Sequence, residues 1–261
     1  MENLTKLLDI MQTLRDPEHG CDWDKKQTFD SIVPHTLEEA HEVAHAIEQQ
    51  DWVNVKDELG DLLFQIVFYA QLGKEAGLFN FADVVDNLNQ KLVRRHPHVF
   101  EHQQTLTETE LSKQWDAIKQ QEKLGQSAQF GDDVLSSLPA LARAQKIQRR
   151  AAALGFDWPT YEGALDKVKE EVDEVDEAMR VDPHSPHSGE EIGDLLFATV
   201  NVARHGGFNA EQLLRKATEK FIGRFQQVES VLETQGKALN TASLQEMDEV
   251  WEQIKAAQKS V

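Results

Sequence analysis

The 261-residue chain has little cysteine, little tyrosine, few cations for its acids and no long apolar run. Its single cysteine, Cys21, excludes an intramolecular disulfide and fits a reducing compartment. The longest apolar stretch, Leu62 to Ala70, is broken by Gln65 and falls short of the about 20 residues that a bilayer span needs. The amino-terminal MENLTKLLDIMQTLRD carries a charge every few residues and has no apolar segment before a cleavage site. A cytoplasmic protein with no membrane partner is expected. With 27 Lys and Arg against 46 Asp and Glu the formal net charge is −19, which excludes nucleic-acid binding through a basic surface. No G-x-x-x-x-G-K-[ST] phosphate loop occurs, and no long alternation of β-branched residues marks a strand.

What the sequence does have is a repeat. Gly20-Cys21-Asp22-Trp23 returns 135 residues later as Gly155-Phe156-Asp157-Trp158, and ELGDLLF (58–64) returns 133 residues later as EIGDLLF (191–197). LEEAHEV (37–43) pairs with KEEVDEV (169–175), and WDAIK (115–119) with WEQIK (251–255). Landmarks in one order along the whole chain predict two copies of one domain, 1–123 and 137–261, joined by the polar, Gly- and Ser-bearing segment 124–136. Each half reads as five helices, near 2–15, 35–49, 52–75, 80–95 and 107–123, then 138–153, 160–180, 188–206, 209–235 and 241–258. Pro17, Pro34, Gly77 and Pro97 separate the first five, and Gly155, Pro159, Pro183, Pro186 and Gly206-Gly207 punctuate the second. The expected class is all-α, a tandem pair of helical bundles.

The acids of these helices are spaced to converge. Glu171 and Glu174 are three apart on one predicted helix, Glu191 and Asp194 three apart on the next, so each pair shares a face. The same faces carry Val175, Ala178, Leu195 and Ala198, which sets the acids at the edge of a core. Carboxylates gathered there repel one another and lose water, so a cation must compensate them. An all-oxygen set without His or Cys selects a hard ion, Mg²⁺ or Mn²⁺. A lone Glu-x-x-Glu pair is usually a solvated face, but this four-acid set recurs as Glu39, Glu42, Glu58 and Asp61.

The string E-E-x-x-E followed by E-x-x-D resembles the MazG family of nucleoside triphosphate pyrophosphohydrolases. It stands here as Glu38, Glu39, Glu42, Glu58 and Asp61, and again as Glu170, Glu171, Glu174, Glu191 and Asp194. The tandem arrangement, with RRHPHVF (94–100) and LLFATVN (195–201), is similar to the two-domain bacterial members along essentially the whole chain. The resemblance implies an all-α pyrophosphatase fold, a homodimer built through helix bundles, Mg²⁺ dependence, and hydrolysis of NTP and dNTP substrates to nucleoside monophosphate and pyrophosphate. The catalytic set is then Glu170, Glu171, Glu174, Glu191 and Asp194, with Glu39, Glu42, Glu58 and Asp61 as a second, silent or active, metal set. Glu170 is the first candidate to accept a proton from an attacking water, and Glu190 the second.

Cations accompany the acids. Lys167 lies one turn before Glu171, and Lys220 and Arg224, four apart, recur as Lys91 and Arg95. Trp251 and Lys255 recur as Trp115 and Lys119; either Trp stacks a base or belongs to a core. The resemblance favours nucleotide contact for Lys167, Lys220, Arg224, Trp251 and Lys255. Lys167 is replaced by His35 in the first half, so the second half is expected to be the main catalytic domain. Two other readings compete. His41-Glu42-Val43-Ala44-His45 fits the H-E-x-x-H zinc peptidase pattern, and a non-enzymatic regulator would bind nucleotide without turning it over. Gly60 and Gly193, each costing helix stability relative to Ala, suggest close approach of a helix or ligand.

Overall fold

Regular structure in the computed structural model, which describes residues 2–101, 104–122, 129–132 and 134–259, is helical throughout. The chain forms two compact units, Met1–Gly125 and Gln126–Val261. None of the described helices is long and apolar enough to cross a membrane.

In the first unit α1 (Glu2–Leu14), α2 (Phe29–Glu48), α3 (Trp52–Glu75) and α4 (Phe81–Arg95) are followed by a single turn, α5 (Pro97–Phe100), and by α6 (Glu108–Glu122). Met11, Ile32, Val67, Phe68 and Leu72 form its core, with Phe29, Phe64 and Tyr69 packed around them. Arg15, nearly buried, closes one side: its guanidinium pairs with Glu75 at 2.7 Å and lies over the Phe68 ring, 5.3 Å from the centroid. The dominant packing is the α2–α3 hairpin, whose link 49–51 turns through Gln50 in the left-handed region, φ 57°.

One helix boundary departs from expectation. Pro34 was expected to precede α2 but lies inside it, because a capping box starts the helix at Phe29. The Ser31 hydroxyl accepts from Thr28 N at 2.9 Å and Thr28 Oγ1 accepts from Ser31 N at 3.3 Å, satisfying two amides that a helix start leaves open. That cap and the burial of Ile32 outweigh the amide hydrogen bond lost at Pro34. Pro186 likewise sits at the first position of its helix, with Ser185 as cap, where its missing N–H costs nothing.

The second unit comprises α7 (Ala140–Ala153), α8 (Tyr161–Val181), α9 (Pro186–His205), α10 (Ala210–Thr234) and α11 (Leu244–Lys259). α8 and α9 form the principal hairpin, α7 lies against α9 and α10, and α11 packs on α10. Val228, Leu232 and Val250 make an α10–α11 core, joined by Met247, Trp251 and Ile254. Gln145, 3% exposed, staples α7 to the α9–α10 turn: its amide donates to Phe208 O at 2.6 Å and its oxygen accepts from Ala210 N at 3.0 Å. Gly60 and Gly193 are open. A Cβ added at either meets nothing within 4 Å, so no close approach among the described residues explains them.

Candidate functional site

The α8–α9 hairpin places Glu171, Glu191 and Asp194 so that one carboxylate oxygen from each lies within 4.8 Å of the others. Glu171 is 4% exposed. Its Oε1 is 2.7 Å from Lys167 Nζ, while its Oε2 is buried with no hydrogen-bond partner among the described residues. Lys167 also reaches Glu170 Oε1 at 2.9 Å, and Glu171 and then Glu170 hold its ammonium above the usual range. Glu174 stands beside this group. Loss of hydration raises its carboxyl, repulsion from Glu171 and Glu191 adds to that, and Lys167 works the other way. His187 Nδ1 lies 3.3 Å from Glu191 Oε1, a contact that the sequence reading did not foresee.

The first half repeats the geometry with different neighbours. Glu39, Glu58 and Asp61 offer oxygens within 4.8 Å of one another. Glu58 is raised, first by loss of hydration and then by Glu42 and Asp61, which sets Glu42 at this cluster. Among the described residues no lysine pairs with it: His35, at the position of Lys167, is 3.8 Å from Glu38 and not paired with Glu39. Gln65 Nε2 reaches Glu39 Oε1 at 3.5 Å instead. The exposed His41 and His45 enter neither acid cluster, so the zinc peptidase reading loses its ligands among the described residues.

The remaining expected contacts form a second group. Arg224 lies over the Trp251 ring at 5.8 Å and donates from Nε to Gln258 Oε1 at 2.7 Å, on the α10–α11 pair. Trp251 is half-buried against Phe221 and the core of that pair, so packing occupies much of it. Lys220 is exposed on α10, and Lys255 pairs with Glu252 at 2.8 Å. Glu190 is exposed on α9. The side chain of Lys119, in α6, lies outside the described residues.

A cavity of about 740 Å³ opens beside the acids of the second unit. Glu171, Asp194 and Lys167 contribute to its wall, and Phe156, Trp158 and Phe197 give it aromatic sides. Trp158 rests on Gly163, where an added Cβ would sit 2.4 Å from the indole. The preceding residue, Asp157, binds Arg204 through both carboxylate oxygens and His205 Nε2 at 3.1 Å; these contacts, Arg204 foremost, hold its carboxyl below the usual range. The Gly155–Trp158 string stood out in the sequence only as a repeat landmark. Its position on the cavity wall had no spacing signal.

Comparison with known proteins places this geometry. The family described as "MazG nucleotide pyrophosphohydrolase domain" matches residues 27–100 and again 160–229. A nucleoside triphosphate pyrophosphohydrolase of Escherichia coli strain K12 is 50% identical over 98% of this chain and 98% of its own. A Thermotoga maritima protein named nucleoside triphosphate pyrophosphohydrolase/pyrophosphatase MazG is 42% identical over 98% of this chain and 96% of its own. A solved chain titled as a mazG-related protein from Thermotoga maritima aligns with 46% of this chain and 99% of its own, at 22% identity and a TM-score of 0.39. With the domain matched twice and half of all residues shared along nearly the full length of a relative, the chain belongs to the MazG nucleotide pyrophosphohydrolase family.

Proposed function

We propose that the chain hydrolyses nucleoside triphosphates, ribo and deoxyribo alike, to nucleoside monophosphate and pyrophosphate, as a cytoplasmic housekeeper of the nucleotide pool. One observation carries the reading: the acid cluster of Glu171, Glu191 and Asp194, with Glu174 beside it, lies in a chain 50% identical to a full-length relative of that name. The residues fit a hard divalent cation, Mg²⁺ first and Mn²⁺ as substitute. Every donor is a carboxylate oxygen, and Glu171 Oε2 is buried without a partner among the described residues. Such an ion supplies charge neutralisation for the phosphates and a more acidic bound water.

The chain's own groups do the rest. Lys167 screens Glu170 and Glu171 and holds both in place for the incoming triphosphate. Glu170, 58% exposed at its side chain, is the candidate to take the proton of the attacking water, with Glu190 as the second. We assign Lys220, Arg224, Trp251 and Lys255 to substrate contact, and Lys119 to the corresponding place in the first half. The second half, domain 137–261, is the principal enzyme because it keeps Lys167, whereas the first, 1–123 before the linker 124–136, has His35 there. A homodimer is supported by large apolar side chains left open on α8 to α10, among them Val172, Leu196, Leu214 and Phe221.

The test is product analysis. With Mg²⁺ and each NTP and dNTP, equal amounts of monophosphate and pyrophosphate are expected, abolished by Glu174→Gln and largely spared by Glu42→Gln. Diphosphate and phosphate as products would overturn cleavage at the α-phosphate. Mg²⁺-dependent nucleotide binding with no product would mark a regulator.

A further inference from the structure

We propose that the 740 Å³ cavity beside the acids is a nucleobase pocket, and that Asn201 and Gln148 read the base by hydrogen bonds. This rests on the pyrophosphohydrolase reading and adds where the base goes and what recognises it. The volume suits a small-molecule site, and the wall is of the expected kind, mostly apolar and aromatic with a few polar groups. Phe156, Trp158 and Phe197 offer faces on which a flat ring stacks. Glu171, Asp194 and Lys167, on the same wall, fix the end at which the phosphates lie.

The two amides are oriented by the protein before any ligand arrives. Asp157 holds the Arg204 guanidinium, and Arg204 Nε donates to Asn201 Oδ1 at 2.7 Å. The opposite orientation of Asn201 would set donor against donor. Its Nδ2 is therefore the group that remains, a donor on the cavity wall without a partner among the described residues. Gln148, on α7, is 6% exposed and donates from Nε2 to the Phe197 carbonyl at 2.8 Å. Its Oε1 is buried with no hydrogen-bond partner among the described residues. The Asn201 donor on the wall suits a base, whose ring nitrogens and carbonyls accept, and Gln148 behind it holds a second polar group at the same wall.

The first half supplies an internal comparison. By the 133-residue offset of the E-x-G-D strings, Ala198 and Asn201 correspond to Gln65 and Phe68. Both are buried: Phe68 is 0% exposed in the core, and Gln65 extends to Glu39. The first half thus has the acids but, where the second half has a small residue and an amide, two larger buried side chains.

The experiment compares kcat and KM of the parent, Asn201→Asp and Gln148→Met on ATP, CTP, GTP and UTP, and on ribose 5-triphosphate, which has no base. Asn201→Asp keeps an acceptor for Arg204, exchanges the donor for a second acceptor and adds a negative charge, whose effect on the phosphates the baseless substrate reports. The expected result is a KM rise on the nucleotides exceeding any rise on the baseless substrate by about tenfold or more, with melting temperatures near the parent's. Equal losses on both substrate kinds, or no change on any nucleotide, would overturn the pocket. Should the parent cleave no triphosphate, the functional reading fails on its own. Calorimetry with nucleoside monophosphates then decides: binding by the parent and tenfold weaker binding by Asn201→Asp support the pocket, and no binding by the parent removes it.

Discussion

Lys167 holds a carboxylate that is buried nearly completely, and the consequence of losing it follows from desolvation. Glu171 lies in a poorly hydrated place with one ammonium at 2.7 Å, its other oxygen unmatched among the described residues. Lys167→Met should lower the stability of the metal-free protein by about 1–2 kcal/mol, reduced from the buried-pair value because the lysine is itself partly open to solvent. Saturating Mg²⁺ should restore most of that, since an ion at the cluster replaces the lost charge. Thermal melts with and without Mg²⁺ check it, and a deficit that Mg²⁺ leaves untouched would place the metal away from Glu171. Glu246 gives a separate pH signature. Lys237 first, and then the Ser243 amide and hydroxyl, hold its carboxyl down to about 2 from an ordinary 4.5. The folded state therefore binds fewer protons than the unfolded state in that window, and stability present above pH 4.5 is lost as pH falls towards 2. Glu246→Gln should melt below the parent at pH 7, with the gap narrower at pH 3 and closed only near pH 2 and below.

The helices show why some features were legible in the sequence and others were not. α3 begins and ends where the pattern of apolar residues and the Ala76-Gly77 stop predict it, and the acids on α2, α3, α8 and α9 converge because spacing by three fixes a shared face. Spacing of that kind is local, so it survives in the sequence. The cavity is not local: Gln148 comes from α7, Trp158 from a turn, and Asn201 and Phe197 from α9, so only the packed fold joins them. Pro34 misled for a related reason, since the Thr28–Ser31 cap acts ahead of it and decides the start. Exposed Pro34 then lies one turn and more inside α2 with no N–H for the Asp30 carbonyl. Pro34→Ala restores that hydrogen bond and should stabilise the protein, by up to about 3 kcal/mol on intrinsic helix preference. A fall in melting temperature would show that α2 depends on the proline's bend.

At the scale of the whole molecule, duplication has left two acid clusters with unequal surroundings. Besides Lys167 against His35, the α4 and α10 cations differ in how they are held. Glu122 takes Arg95 at 2.6 Å and Arg94 at 2.6 Å, and with Arg95 as the chief cause its carboxyl lies at about 2. Arg224, the counterpart of Arg95, meets neutral Gln258 and keeps its positive charge uncompensated by that neighbour. A phosphate approaching the first half must compete with a carboxylate for its arginines, and in the second half with an amide. Both clusters should therefore take a metal while only one turns over substrate. Titration with Mn²⁺ followed by electron paramagnetic resonance separates the two properties. Glu42→Gln and Glu174→Gln should each remove about half of the bound ion, because each takes a carboxylate from beside one cluster. ATP hydrolysis should fall by about 100-fold or more in Glu174→Gln and change little in Glu42→Gln. Equal losses of turnover in the two variants would mean that the halves act together, and that the missing lysine of the first half is supplied by another cation.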